Sequence, residues 1–227
     1  PDGKVDLLFK TTMKGKNETK NYLELSSQAA ANRINSQLSW LNNSQALYKA
    51  DLSMSTLFNR IRSDEKPGTS LLHTSFMINE GTAVIMDSIW HVSPSTIHIQ
   101  DGNVEINKFN VSKKNQYLKI DGEVSKDPRK KLFAELKDIE LSYIFDILNK
   151  PSLTFGGKAT GTVNLNDMFG SRIINTDLTV DRFSFNKVEV GKLNLFSEWD
   201  DSEQGILMLG SIYENDSTWT DVNGYIY

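Results

Sequence analysis

Three histidines, His73, His91 and His98, are the residues of this sequence best suited to bind a metal ion, because the chain contains no cysteine. His91 and His98 could face each other across a hairpin and share a metal, since imidazole nitrogens are common zinc ligands. No carboxylate accompanies them at the spacing of a ligand set. We therefore predict two partly exposed strand histidines, and neither a metal site nor another cofactor.

The acidic and glycine-rich stretches do not match the motifs of known catalytic sites. Asp200-Asp201 and Glu203 form an acidic turn, but the Asp-x-Asp-x-Asp-Gly pattern of a calcium loop is missing. No Gly-x-Ser-x-Gly elbow and no phosphate-binding Gly-x-x-x-x-Gly-Lys occurs. The sequence therefore predicts that the chain is not an enzyme. A parallel β-helix polysaccharide lyase is the enzyme class that we rank third among the possible functions.

Tryptophans provide the main alternative function. Four of them, Trp40, Trp90, Trp199 and Trp219, could form a platform on which sugar rings stack. This would make the chain a glycan-binding or adhesive β module of the cell envelope. Aromatic residues in strands are more often core residues.

Composition excludes nucleic acid as a partner. The formal net charge is −4, and the one basic run, 126–131, surrounds a proline and contains no aromatic residue to stack on bases. No run of 18 apolar residues is present. The sequence has no signal peptide, and we expect it to be a piece of a longer protein.

Any functional site must be positioned by β-strands, because apolar and polar residues alternate along most of this sequence with a period of two. Between 153 and 165, apolar or small residues occupy every odd position and polar residues nearly every even one. Alternate side chains of a strand point to opposite faces, so this segment has one apolar and one wet face. Shorter alternations recur at 118–124, 178–180, 183–185, 188–190 and 193–195, with turns such as 100–103 and 186–187 between them.

Two segments allow a helix. Residues 142–149 have apolar side chains at helical spacing and are followed by Pro151, which predicts one short amphipathic helix. Residues 28–41 contain three alanines, but we favour a strand over 33–40.

A hairpin pattern that follows Trp40 recurs after Trp199, which points to a stacked repeat. We predict one continuous β-repeat segment over 1–227, with a possible sub-boundary near 125–131.

The apolar face of 153–165 has small residues at its centre and larger ones at its ends. Glycine at 157 and 161 would let the strand bend and leave open space above it. An apolar surface open to water is costly unless an apolar molecule covers it. We therefore predict that something apolar covers this surface, and its predicted lining residues are Leu153, Phe155, Ala159, Val163, Leu165, Leu178 and Val180.

Residues 89–165 resemble the TamB family of bacterial envelope proteins, within the AsmA-like group and particularly its Bacteroidetes members. The resemblance rests on the order and spacing of four segments, which are Ile89–Ser95, Gln116–Ser125, Leu136–Leu148 and Leu153–Gly161. It continues more weakly over most of the chain.

The resemblance implies an open, apolar β-groove (a "β-taco") in the periplasm of a Gram-negative bacterium. The parent protein would be anchored in the inner membrane. It would support phospholipid transport between membranes or the assembly of outer-membrane proteins with a barrel partner, through parts that lie outside this sequence. Together, the residues and the resemblance predict an all-β, elongated stacked-strand repeat whose groove accommodates phospholipid acyl chains.

Overall fold

The computed structural model describes residues 4–14, 20–42, 48–62, 70–85, 88–143, 154–215 and 218–227. These residues are almost entirely β-strand, and their strands pair with one another in antiparallel fashion. The predicted all-β stacked-strand fold is confirmed. The chain divides into two compact units, Pro1–Lys113 and Lys114–Tyr227. The predicted sub-boundary near 125–131 coincides with a connection inside the second unit.

The described residues of the first unit form nine strands. They are β1 (Lys4–Lys14), β2 (Lys20–Ala30), β3 (Arg33–Asn42), β4 (Tyr48–Arg62), β5 (Ser70–Ile78), β6 (Gly81–Ile85), β7 (Ser88–Val92), β8 (Ser95–Gln100) and β9 (Asn103–Lys113). Residues 33–40 lie in β3, so the strand that the sequence favoured over a helix is confirmed.

In this unit, two pairs of consecutive strands lie end to end, β5 with β6 and β7 with β8. β5 and β6 both pair with β4, while β8 pairs with β5 and β7 pairs with β6 in an unchanged register. The interruptions fall at 79–80 and 93–94, and Pro94 has no N–H to give to a neighbouring strand. β9 pairs with both β8 and β7, and its Lys108 has a φ of 57° beside the interruption. In the first unit, the interruptions therefore separate β5 from β6 and β7 from β8, while β4 and β9 run unbroken beside them.

The second unit is a meander of seven strands, each paired with the next where the pairings are described. They are β10 (Gln116–Val124), β11 (Lys131–Glu140), β12 (Phe155–Asn166), β13 (Ile173–Phe185), β14 (Val188–Asp200), β15 (Gly205–Asn215) and β16 (Thr218–Ile226). Residues 141–143 are helical. The rest of the predicted helix, 144–149, lies outside the described residues.

Bulges interrupt the pairs from β11 to β14 near one end of the strands. The register shifts in the β11–β12, β12–β13 and β13–β14 pairs, and Asp138 and Arg182 have φ values of 52° and 53° beside the shifts. The backbone N–H of Asp138 donates to the hydroxyl of Thr160 on the neighbouring strand at 3.0 Å. A bulge bends its strand and increases the local twist. The strands of the unit are therefore bent where the sequence places its small residues.

Tight turns connect several of these strands. Asp101 and Gly102, like Asn186 and Lys187, have positive φ at both central positions, which defines a type I′ hairpin turn. Both turns lie where the sequence predicted them. The hairpins after Trp40 and Trp199 are also present, since each tryptophan lies near the end of a strand that pairs with the following one.

Candidate functional site

Strand pairing brings most of the predicted groove residues onto one face of the second unit. Ala159 lies opposite Val180, and Val163 lies two pleats further along the same strand. Residues opposite each other in a ladder share a face, and so do residues two positions apart on one strand. The predicted lining residues Ala159, Val163, Leu165, Leu178 and Val180 therefore form one continuous surface.

The pairings extend this surface across five strands, from β11 to β15, in four rows. We call it the apolar face, and its described residues are Ile139, Ala159, Val180, Leu193 and Ile212 in the first row, Leu136, Gly161, Leu178, Leu195 and Gly210 in the second, Ala134, Val163, Thr176, Ser197 and Met208 in the third, and Leu132, Leu165 and Ile174 in the fourth. None of these residues is ionisable.

Burial differs along the apolar face. Ala159 is fully buried and Val180 is 2% exposed, whereas Val163, Leu165 and Leu178 are half-buried. Buried and half-buried residues occur together on this face, since Leu193 and Ile212 of the first row are half-buried while Leu136 and Ser197 of later rows are buried. The opposite face of the same strands is largely polar, with Thr160, Thr162, Asn164, Asn175, Asp177, Thr179, Asn194 and Glu198, although it also includes Phe133, Phe196, Leu207 and Leu209.

The two hydroxyls of the third row have hydrogen-bond partners close by. Ser197, which is 2% exposed, donates to the carbonyl oxygen of Ile174 at 3.0 Å, and its Oγ lies 3.0 Å from that of Thr176. A buried hydroxyl costs free energy only when it lacks a partner. The face therefore behaves as a surface of low polarity although it includes hydroxyl groups.

Of the two remaining predicted groove residues, Phe155 lies at the start of β12. Phe155 stacks on Phe183 with ring centroids 6.2 Å apart, and its centroid is 5.5 Å from that of Phe185. Leu153 lies outside the described residues. The aromatic cluster around Phe155 extends the apolar surface at the end of the first row.

Sequence reasoning missed several members of the apolar face, among them Ile139, Leu193, Leu195 and Ile212. The alternation at Leu193-Leu195 identified a strand, but it did not show which neighbours that strand meets. Assigning these residues to the face requires the register, because a slip of one residue turns every side chain to the opposite face.

The tryptophans do not all lie at the surface. Trp90 is 2% exposed and belongs to the core of the first unit. Trp40 and Trp199 are half-buried, and the indole N–H of Trp199 donates to the carboxylate of Asp201 at 2.8 Å. Trp219 is 59% exposed and lies opposite Tyr213. A platform that includes Trp90 is therefore not formed.

The facing of His91 and His98, which the sequence allowed as an alternative, is not formed. His91 lies opposite Thr82 and Ser112, so it does not face His98 across a hairpin. His98 meets His73 instead, and His73 Nε2 lies 3.2 Å from His98 Nδ1. The two residues come from β5 and β8, which are neighbours in the sheet.

The acidic turn after β14 is organised by its own hydrogen bonds. The carboxylate of Asp200 accepts from the hydroxyl and the backbone N–H of Ser202 at 2.5 and 2.8 Å, and from the hydroxyl of Tyr225 at 3.0 Å. These bonds, that of the Ser202 hydroxyl first, lower the pKa of Asp200 to about 2. These hydrogen bonds of the Asp200 carboxylate stabilise the turn, so the acidic residues have a structural role in this hairpin.

We expect Ser202→Ala to raise the pKa of Asp200 from about 2 toward the ordinary value near ~3.9. Because the folded pKa is the lower one, the carboxylate stabilises the fold above pH ~4, and this contribution is lost as the pH falls toward ~2. An NMR titration of the Asp200 side-chain carbon measures the pKa directly. Ser171→Ala, in another turn of the same unit, is the control and should leave it unchanged. An unchanged pKa in Ser202→Ala would contradict the assignment.

None of the helical residues that the structure describes forms a helix long and apolar enough to cross a membrane. Comparison of the chain with protein-family models, with curated proteins and with solved structures gave no match.

Proposed function

We propose that this chain is a non-catalytic segment of a bacterial envelope protein of the TamB kind, whose apolar face accommodates phospholipid acyl chains. One observation carries the proposal. The rows of the apolar face contain no ionisable residue, yet Val163, Leu165 and Leu178 remain half-buried and accessible. An ordinary core of this composition would be closed by a second layer.

Acyl chains are the natural occupants of such a surface. Each methylene group that leaves water for an apolar surface contributes about 0.8 kcal/mol. The surface has no charge and few polar groups, so it can bind tails without recognising a particular headgroup. Transport then needs no chemical step, because a tail can slide along a track of nearly uniform polarity.

The bends in the strands support the same function. The bulges beside Asp138 and Arg182 lie close to the first row of the apolar face. Bent strands curve a sheet, and a curved sheet with its apolar side inward forms a groove rather than a flat surface. Gly161 in the second row has no side chain, so the neighbouring strand approaches closely there.

The cellular setting that we propose rests on the resemblance of residues 89–165 to the TamB family. We place the chain in the periplasm, with its parent anchored in the inner membrane of a Gram-negative bacterium. Contact with an outer-membrane barrel partner, and a role in assembling outer-membrane proteins, would involve parts outside this sequence. The acidic net charge gives no reason to include nucleic acid among the partners.

The alternative glycan-binding module receives less support from the geometry. It requires tryptophans that are exposed together, whereas Trp90 is buried and Trp40 and Trp199 are half-buried. Trp219 and Tyr213 are exposed, but a single aromatic pair is common on protein surfaces.

Native mass spectrometry tests the proposal. We expect the purified chain, mixed with phosphatidylethanolamine in mild detergent, to retain one or more intact phospholipids. Glycerophosphoethanolamine, which carries the same headgroup without tails, is the matched control and should not be retained, because the binding depends on the acyl chains. Equal retention of both compounds, or of neither, would overturn the acyl-chain assignment.

A further inference from the structure

Two imidazoles and a hydroxyl lie close together where β5 and β8 pair in the first unit. His73 Nε2 lies 3.2 Å from His98 Nδ1, and Ser75 Oγ lies 3.2 Å from the former and 2.9 Å from the latter. His73 and Ser75 are two positions apart on β5, and Ser75 lies opposite His98 on β8. Three potential ligand atoms thus form a nearly equilateral triangle.

The surroundings hold this triangle in place. Ser75 is 8% exposed and both histidines are half-buried, with their rings packed edge to face at a centroid distance of 5.2 Å. Asn59 and Gln100 lie opposite His73 in the neighbouring strands. The one charged residue directly opposite the cluster in the described pairings is Glu105, which faces His98 from β9.

The triangle has the dimensions of one face of a metal coordination tetrahedron. With metal–ligand distances of about 2.0–2.1 Å, the three separations correspond to ligand–metal–ligand angles of roughly 90° to 105°, close to the tetrahedral value of about 109°. Each of the two nitrogens offers a lone pair to a metal when its ring carries the hydrogen on the other nitrogen. A divalent transition metal can then bind to both imidazoles.

We propose that His73, His98 and Ser75 bind a divalent transition metal of the zinc class, with the two imidazoles as the principal ligands. Within the described residues, no three side chains among histidine, cysteine, aspartate and glutamate converge on one point. The remaining coordination positions would therefore be taken by water, and the negative charge of Glu105 would favour a cation nearby. The metal would connect β5 to β8 beside the interruption at 79–80.

Without a metal, the same two imidazoles would form a hydrogen bond to each other through one N–H group. His73 Nε2 would then donate to His98 Nδ1, or the reverse, and Ser75 would complete the network. This state requires no metal. The two states differ in one respect that can be measured, since only the first binds zinc at these nitrogens.

Zinc chloride is the probe, and His91, which lies apart on β7, is the internal control. We expect the intact chain to bind one zinc ion per molecule in a calorimetric titration at pH 7.5. In nitrogen-15 NMR spectra of the histidine rings, zinc should shift His73 Nε2 and His98 Nδ1 and leave both nitrogens of His91 in place. Calcium should produce none of these changes, because it prefers oxygen ligands.

Variants give a second measurement. His73→Gln and His98→Gln should each weaken zinc binding at least tenfold, while His91→Gln should bind as the unchanged chain does. The NMR experiment needs no substitution, so it decides the matter even if a variant fails to fold. Absence of saturable binding, an equal loss in His91→Gln, or ring shifts that follow pH and ignore zinc would overturn the proposal and leave a proton-sharing pair only.

Discussion

Gly161→Ala is expected to lower the free energy of unfolding by about 3 kcal/mol, since it forces a backbone shift in the middle of a sheet. Gly161 has a φ of +141°, a conformation that residues with a side chain rarely adopt. A Cβ built there would lie 2.0 Å from the carbonyl oxygen of Asp177 on the neighbouring strand. That oxygen belongs to the backbone, so the clash cannot be relieved by turning a side chain.

Gly224→Ala is the matched control. Gly224 lies in β16, and no atom lies within 4 Å of a Cβ built on it. We expect its free energy of unfolding to change by no more than about 0.5 kcal/mol, since an exposed position tolerates the methyl group. Urea denaturation followed by circular dichroism gives the midpoint for each variant. If the two alanine variants unfold at the same urea concentration, the close contact between Gly161 and Asp177 is not part of the fold.

The regular parts of this fold could be predicted from the sequence because they depend on local alternation. The odd and even positions of 153–165 predicted one apolar and one polar face, and the pairings of β12 agree with both over Ala159–Leu165. The hairpin turns at 100–103 and 186–187 could also be predicted, because asparagine, aspartate and glycine are the residues that tolerate positive φ.

Glycine at 157 predicted a bend where the register does shift, but the bulges at Asp138 and Arg182 could not be predicted in the same way. Asp138 and Arg182 adopt positive φ inside strands, although arginine has no preference for that conformation. Their conformation follows from the register of the neighbouring strands, as the hydrogen bond between Asp138 and Thr160 illustrates. Local composition therefore carries no signal for a bulge at either position.

The histidine cluster shows the same limit. Because His91 and His98 are close in the sequence, they could be expected to face each other across a hairpin. The strand that contains His91 is instead displaced along the sheet by the interruption at 93–94. β8 instead lies beside β5, which brings His73 to His98 from a distant part of the chain. Contacts of this kind depend on which strands are neighbours, which the alternation pattern does not reveal.

Val163→Arg is expected to reduce phospholipid retention at least about tenfold while the chain stays folded. Val163 lies in the third row of the apolar face, opposite the small residues Ala134 and Thr176, and is half-buried. An arginine there would cross the path of an acyl chain. Excluding two methylene groups from the surface costs roughly 1.6 kcal/mol of binding, which corresponds to more than a tenfold loss of affinity.

The fold should survive this substitution because the position is open. A long arginine can lay its methylenes along the face and lift its guanidinium into water, so we expect a stability loss of only about 1–2 kcal/mol. In a closed core the same change would bury an unpaired charge and cost several kcal/mol. Thermal melting of Val163→Arg thus distinguishes an open face from a closed one without any lipid.

Thr162→Arg is the matched control, because Thr162 is the preceding residue of the same strand and belongs to the polar face. It adds the same charge and bulk on the opposite side of the sheet, so we expect it to retain phospholipid as the unchanged chain does. Native mass spectrometry with phosphatidylethanolamine compares the three proteins under one condition. If both arginine variants retain lipid equally, the tails do not lie on the apolar face. If Val163→Arg fails to fold while Thr162→Arg folds normally, the face is a closed core and the proposed transport function is wrong.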